Sequence, residues 1–238
     1  MDALEILSNE THKGIRVSAD FPDGFAGDLS SCPVVPHEFR NVQHHFPIFF
    51  KKLAGEEGYT PIALLGLEPE ENLFVKDGKW DCRYEPLFLS SKPFIVGVEN
   101  KEADSGKVLI DSESPRLTKD GSGEAIFDEE GGETPFLKEA VRKLELMHSS
   151  GRSGDEFVGW LTKFDLLEPF ALEVTLEDGS NNRLVGLHTI NEQKVANLEA
   201  GAISEMVARG FMMPTFMVMA SMASIADLVD RKNQKNIS

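Results

Sequence analysis

Residues 170–190 read "FALEVTLEDGSNNRLVGLHTI", and their alternation leaves the backbone little choice. Phe170, Leu172, Val174 and Leu176 fall on one face of an extended chain, with Glu173, Thr175 and Glu177 on the other. That is the period of a strand burying one side, and the turn at Asp178-Gly179 makes it a hairpin. A second hairpin is written in "NLFVKDGKWDC", residues 72–82. Asp77-Gly78 is a dipeptide that two-residue loops prefer, because both central positions need positive φ. Counting outward pairs Val75 with Trp80 and Leu73 with Cys82, all four on one face that is expected in the core.

Around these hairpins the first thirty residues lack periodicity and read as an irregular arm. Pro36 suits the first turn of a helix running to about His45. "PIFFKK" and "TPIALLGL" read as strands on either side of an "AGEEGY" loop, and "FIVGVEN" and "KVLIDSE" as two more. "YEPLFLSSKPF" reads as a short turn or helical connection, and 112–133 as loop. After Thr134-Pro135, Phe136, Ala140, Val141, Leu144 and Met147 recur at helical spacing. Ser153 and Glu156, three apart, predict a capping box opening a second helix with the stripe Phe157, Trp160, Leu161 and Phe164. Asn191 caps a short helix, another ends at Gly210, and Pro214 begins a last one to about Arg231. The expectation is α+β: a mostly antiparallel sheet with hairpins, packed by helices of the C-terminal half. It forms a single domain over 1–238, with the arm at about 1–30, a strand-rich part at 31–133 and a helix-rich part at 134–232.

Charge narrows the partners. Forty acids against 24 bases give −16, a surface that repels phosphate backbones, so nucleic acid is not an expected partner. Cationic or neutral groups such as peptides, proteins or divalent metals suit it better. The start has early acids and no basic region followed by an apolar run, so no secretory signal is expected and the expected location is cytoplasmic. No stretch reaches the ~20 apolar residues of a membrane span; the nearest, 210–229, is interrupted by Pro214, Thr215, two serines and Asp227. Cys32 and Cys82 are in no CxxC spacing, and free thiols are expected over a disulfide.

Three of six histidines lie in "VVPHEFRNVQHHFPIFF", residues 34–50. On a helix His37 and His44 share a face, yet two turns separate them by ~10.5 Å, whereas two nitrogens on one zinc ion sit only about 4 Å apart. Metal binding by His37, His44 and His45 is therefore the alternative, and a helix running into a strand the main reading. His12, His148 and His188 are scattered, and His188 reads as a hydrogen-bonded sheet residue. There is no HxD or HxE for an iron centre, no GxSxG, and no P-loop. The acidic stretch 112–133 does not match the EF-hand register and reads as a solvated loop. Met212, Met213, Met217, Met219 and Met222 wrap all sides of the last helix, which marks core or a homodimer face.

Several segments, in order, carry a likeness: "FPIFF", "IALLGLEPEENLFVKDGKW" leading to "YEPLFLSSKPF", then "LIDSESPRL", "AIFDEEGGETPFL", "LLEPFALEVTLEDGS" and "ARGFMMPTFMVMASMASIADLV". Together they resemble the SapC family of bacterial proteins across residues 10–232. The resemblance implies a link to surface-layer components, and gene neighbourhoods shared with flavin-dependent tryptophan halogenases, cupin-like iron oxygenases and TonB-dependent receptors. A role beside peptide or surface-protein modification follows, with halogenase or oxygenase neighbours as partners and surface association by resemblance alone. It transfers no catalytic residue. Where relatives tend to have a basic pair and an aromatic before Pro-Phe, this chain has Ser90, Ser91 and Lys92 before Pro93-Phe94.

The expected function is thus a non-catalytic peptide- or protein-binding accessory factor, with no cofactor. Its aromatic region draws on Phe49, Phe74, Trp80, Tyr84, Phe88 and Phe94. Trp80, Tyr84 and Phe88 are the groove candidates, and Arg83 is placed to pair a carboxylate. The alternatives are a metal-dependent peptide oxygenase, which needs two of His37, His44, His45, His148 and His188 to converge with a carboxylate, and a surface-layer structural element.

Overall fold

The computed structural model describes residues 3–22, 25, 29–52, 58–97 and 106–237. Most of the loop read at 54–59, and the end of the strand read at 94–100, lie outside them. In chain order come β1 (Leu4–Ile6), α1 (Asn9–His12), β2 (Arg16–Val17), β3 (Ser31–Pro33), a 3-10 turn at Pro36–Glu38, α2 (Phe39–Val42), β4 (Ile48–Lys51) and β5 (Thr60–Leu64). The hairpin β6 (Val75–Lys76) and β7 (Lys79–Trp80) precedes α3 (Leu87–Ser90), β8 (Phe94–Gly97), β9 (Lys107–Asp111), β10 (Leu117–Thr118) and β11 (Glu124–Ala125). The rest is α4 (Pro135–Lys163), β12 (Leu167–Thr175), β13 (Asn181–Ile190), α5 (Glu192–Ala196), α6 (Ala200–Ala208), α7 (Met212–Ser221) and α8 (Ser224–Ile237). All strand pairings are antiparallel, and the fold is α+β.

The chain forms two compact units, one of Met1–Asp28 with Phe74–Ser149, the other of Leu29–Leu73 with Ser150–Ser238. In the first, a sheet of order β1-β9-β8 and a small one of order β10-β2-β11 close over Val17, Phe94, Ile110, Ile126, Leu137 and Leu144. The arm is therefore not irregular throughout: β1 pairs with β9 and β2 lies between β10 and β11. Asp77 and Gly78 both have positive φ, as the hairpin turn requires, and Val75 faces Trp80. One more rung follows before the pairing ends. Asp81 donates to the Phe74 carbonyl, but Leu73 turns its N–H to the Leu65 carbonyl, so the expected Leu73–Cys82 pair is not formed, and Val75 and Trp80 are half-buried.

The second unit is built on a five-stranded sheet of order β12-β13-β4-β5-β3. β4 lies at its centre, which explains a run of consecutive apolar residues: Ile48, Phe49 and Phe50 are all fully buried. Phe49 packs on Phe170 and Phe50 on Phe157, as successive side chains on opposite faces must. The alternation of 170–176 is seen as half-buried Phe170, Leu172 and Val174 against exposed Glu173 and Thr175.

Two helix expectations need correction. The region from Pro135 to Lys163 is one 29-residue helix; Ser153 Oγ donates to the Ser150 carbonyl instead of capping a new start. The helix at Pro36 is a 3-10 turn running into α2 and then turns. By length and composition the run Met212–Asn236 is apolar enough to cross a membrane, an 18-residue window within it having a mean hydropathy of 1.5, where the sequence reading found no such stretch. Here it is α7 and α8, with a third of the apolar window buried (33%). Ser221 Oγ accepts the Ile48 N–H at 2.9 Å, and Lys232 is buried beside Glu71.

Candidate functional site

In the first unit, β8 is an edge strand: its ladder partner is β9 on one side alone among the described residues. Beside that edge opens a cavity of about 220 Å³. Phe94, Ile95 and Val96 of β8 form one wall, Phe88, Ser91 and Lys92 of α3 and its following turn another, and Leu144, Met147 and His148 of α4 the third. The last three lie at i, i+3 and i+4, one helix face. The walls are mainly apolar, with polar groups confined to Ser91, Lys92 and His148. That composition is typical of pockets that bury an apolar group and orient it by a few polar contacts.

The turn holding Lys92 is braced from several sides. Ser91 Oγ donates to the Phe88 carbonyl, Phe94 N–H to that of Ser91, and Lys92 N–H to that of Leu89. Arg116, only 6% exposed, donates through Nη1 to the Lys92 carbonyl (3.1 Å) and through Nε to that of Ser18 (2.8 Å). Its guanidinium lies over the rings of Phe21 and Phe25. The Lys92 ammonium sits 4.9 Å from the centre of the Phe88 ring and has no hydrogen bond or ion pair among the described residues. Burial holds its pKa below the ordinary lysine value, with Asp111 opposing that shift. Burial likewise raises the Glu85 carboxyl, against the pull of Arg116 and Lys143, and its Oε1 is buried without a hydrogen-bond partner among the described residues.

Of the groove candidates Trp80, Arg83, Tyr84 and Phe88, only Phe88 lines this cavity; Phe94 of the aromatic region and His148 of the metal alternative line it too. Trp80 stacks against Phe21 and Phe74, and its Nε1 donates to the Tyr84 carbonyl at 2.9 Å. Arg83 is exposed and Tyr84 half-buried. Phe49 belongs to the second unit. Lys92, Met147 and His148 were noted in the sequence for other reasons, and their meeting with Val96 around one cavity was not foreseen; the i, i+3, i+4 spacing on α4 was the one signal present.

The histidines are dispersed. His37 and His44 are exposed and His45 half-buried, with the rings of His44 and His45 6.5 Å apart. Glu38 is buried, and its Oε1 accepts the Val35 N–H (3.1 Å), capping the Pro36 turn. His188 lies on β13 as expected, with its ring against Tyr59 (4.7 Å). Its Nδ1, however, is buried without a hydrogen-bond partner among the described residues, which corrects the hydrogen-bonded reading. Burial, then the charge of Lys52, keeps its pKa low. Among the described residues no three His, Cys, Asp or Glu side chains are grouped to hold a metal ion. In the acidic loop, Asp120 and Asp128 accept hydrogen bonds from their own turns, at Ser122 and at Glu130 and Gly132. Cys32 and Cys82 are free thiols.

The second unit has a shallower hollow of about 300 Å³ beside Phe164, Leu166, Leu198 and Ala202, where Lys194 is already bound to Asp165 at 2.6 Å. Its cation is spent, so the cavity at β8 is the stronger candidate. No curated protein and no solved structure matches the chain. A family model does, from residue 7 to residue 228, through "FPIFF", the Asp77-Gly78 hairpin, the β8 cavity wall and the methionine-bearing helix; on that match the chain belongs to the SapC family.

Proposed function

We propose that this chain is a peptide- or protein-binding accessory factor whose binding site is the cavity beside β8. The observation that carries the reading is the combination of an apolar hollow of side-chain size with an ammonium at its rim that no described group pairs. Burial disfavours the Lys92 charge and Asp111 offsets that only in part; a ligand that covers the cavity gives the apolar walls and the ammonium a partner. An accessory role beside peptide or surface-protein modification, as the family resemblance implies, needs such a site and needs no catalytic group within it.

Selection of random peptides on the purified protein tests this. Enriched sequences are expected to share an apolar residue and to lose binding to Phe88→Ala and Met147→Ala variants whose urea midpoints match the parent. Peptides that bind these variants as well as the parent, or a selection that enriches nothing, would overturn the reading.

A further inference from the structure

The outward side of β8 can be read from its ladder. In an antiparallel pair, residues alternate between those that bond their partner and those whose N–H and C=O turn away. Asp111 N–H donates to the Pro93 carbonyl, and Ile95 faces Leu109 two residues on, so Pro93 and Ile95 are the residues bonded to β9. Phe94 and Val96 turn their backbone groups the other way. The Phe94 N–H is taken by Ser91. The Phe94 carbonyl and both backbone groups of Val96 have no partner among the described residues. Phe94 and Val96 both line the cavity, with Lys92 at the N-terminal end of the strand.

From this geometry we infer that the outer edge of β8 takes an extended peptide as an added strand, with its last, apolar side chain in the cavity and its terminal carboxylate on Lys92. The inference rests on the peptide-binding reading and goes further, to the part of the peptide recognised. Strand addition supplies main-chain hydrogen bonds, and pockets for alternate side chains supply selectivity. Because Lys92 precedes β8, a peptide that ends there runs antiparallel to it. The outward backbone groups of Phe94 and Val96 favour a peptide end over a fatty acid, which has no main-chain groups to pair with them. Charge agrees: on a chain of −16 an anion is repelled in general and admitted where a cation stands unpaired.

The test uses an N-acetylated hexapeptide of alternating threonine and valine ending in leucine, titrated calorimetrically as free acid and as C-terminal amide. A charge-assisted hydrogen bond to a partly desolvated lysine sets the free acid about tenfold or more tighter, and Lys92→Met removes that preference. N-methylation of alternate amides in the peptide separates the two faces of a strand: one frame abolishes binding, the other leaves it. Equal affinity of acid and amide overturns the carboxylate assignment while leaving peptide binding standing. Insensitivity to both N-methyl frames, or octanoate binding as tightly as the peptide, overturns strand addition. Silence of both peptide forms at millimolar concentration sinks the inference, and the peptide selection then decides the broader reading separately.

Discussion

Replacing Lys232 with methionine is expected to be among the costliest single changes in the second unit. Lys232 Nζ lies 2.8 Å from Glu71 Oε1 and 3.1 Å from Glu68 Oε2, and the side chains of Lys232 and Glu71 are 7% and 6% exposed. Glu71 Oε2 also accepts the Leu67 N–H at 3.1 Å. Methionine keeps the length and apolar stem but strands the Glu71 carboxylate with one remaining cation, Lys235 at 3.3 Å, which is itself half in solvent. Removing one partner of a buried pair costs about 3–5 kcal/mol. Since Lys235 stays and Glu68 faces water, the lower end, about 3 kcal/mol, is the expectation. For a chain of this length that corresponds to a Tm lowered by roughly 6–12 °C.

Urea unfolding of Lys232→Met, Glu71→Gln and the double variant measures the coupling. The double variant should cost about 1.5 kcal/mol or more less than the sum of the singles, as for residues in one network. A Lys232→Met protein within about 0.5 kcal/mol of the parent, or strict additivity, would refute the argument. The pH dependence has a definite sign. Burial draws the Lys232 pKa down, but hydrogen bonds to Glu71 and Glu68 more than reverse it, leaving it above the usual lysine value. Its contribution is present below that usual value and lost as pH rises through the folded one. Glu68 is held below its usual value by hydrogen bonds from Asn182 and then Lys232, so its contribution is present above the usual value and fades as pH falls through the folded one. The clamp is intact across neutral pH.

Three further outcomes follow from the packing. A Cβ at Gly66 would lie 2.1 Å from the Glu71 carbonyl oxygen, so Gly66→Ala should lower stability by about 3 kcal/mol, read from its urea midpoint. Lysine in place of Arg116 cannot span the Ser18 and Lys92 carbonyls from one rigid fork; Arg116→Lys is expected to cost about 1.5–3 kcal/mol, followed through Trp80 fluorescence. Cys32 is fully buried, and burial, then Glu38, lift its thiol well above the usual pKa. A thiol reagent should therefore label no more than Cys82 in the native protein and both cysteines in denaturant, as mass spectrometry would show.

Both Asp-Gly hairpins were legible in sequence because turn chemistry and two-residue alternation are local signals. β4 was legible as an apolar run, and its central place between β13 and β5 explains why the run does not alternate. β1 and β2 left no trace, since strands of two or three residues are too short to show a period. The unbroken α4 overrode the two of its three glycines that lie at the expected break, Gly151 and Gly154, each of which costs a helix up to about 1 kcal/mol. Burial of Leu137, Ala140 and Leu144 before them, and of Phe157, Trp160 and Leu161 after them, holds the helix straight through. The site was least legible. Phe88 stood out as an aromatic, but the importance of Lys92 depends on which strand of the sheet ends up outermost, and that is decided by the distant pairing of β1 with β9.

Each unit is assembled from two stretches separated by a stretch of the other, so no single cut in the chain releases either of them whole. A fragment ending at Glu133, the natural place to divide strands from helices by eye, would strip Leu137, Ala140 and Leu144 from over Phe94 and Ile110. It would also take away the helical wall of the cavity. Deletion mapping of ligand binding in this chain would then report loss of folding, whichever half held the contacts; point changes at the cavity are the informative route.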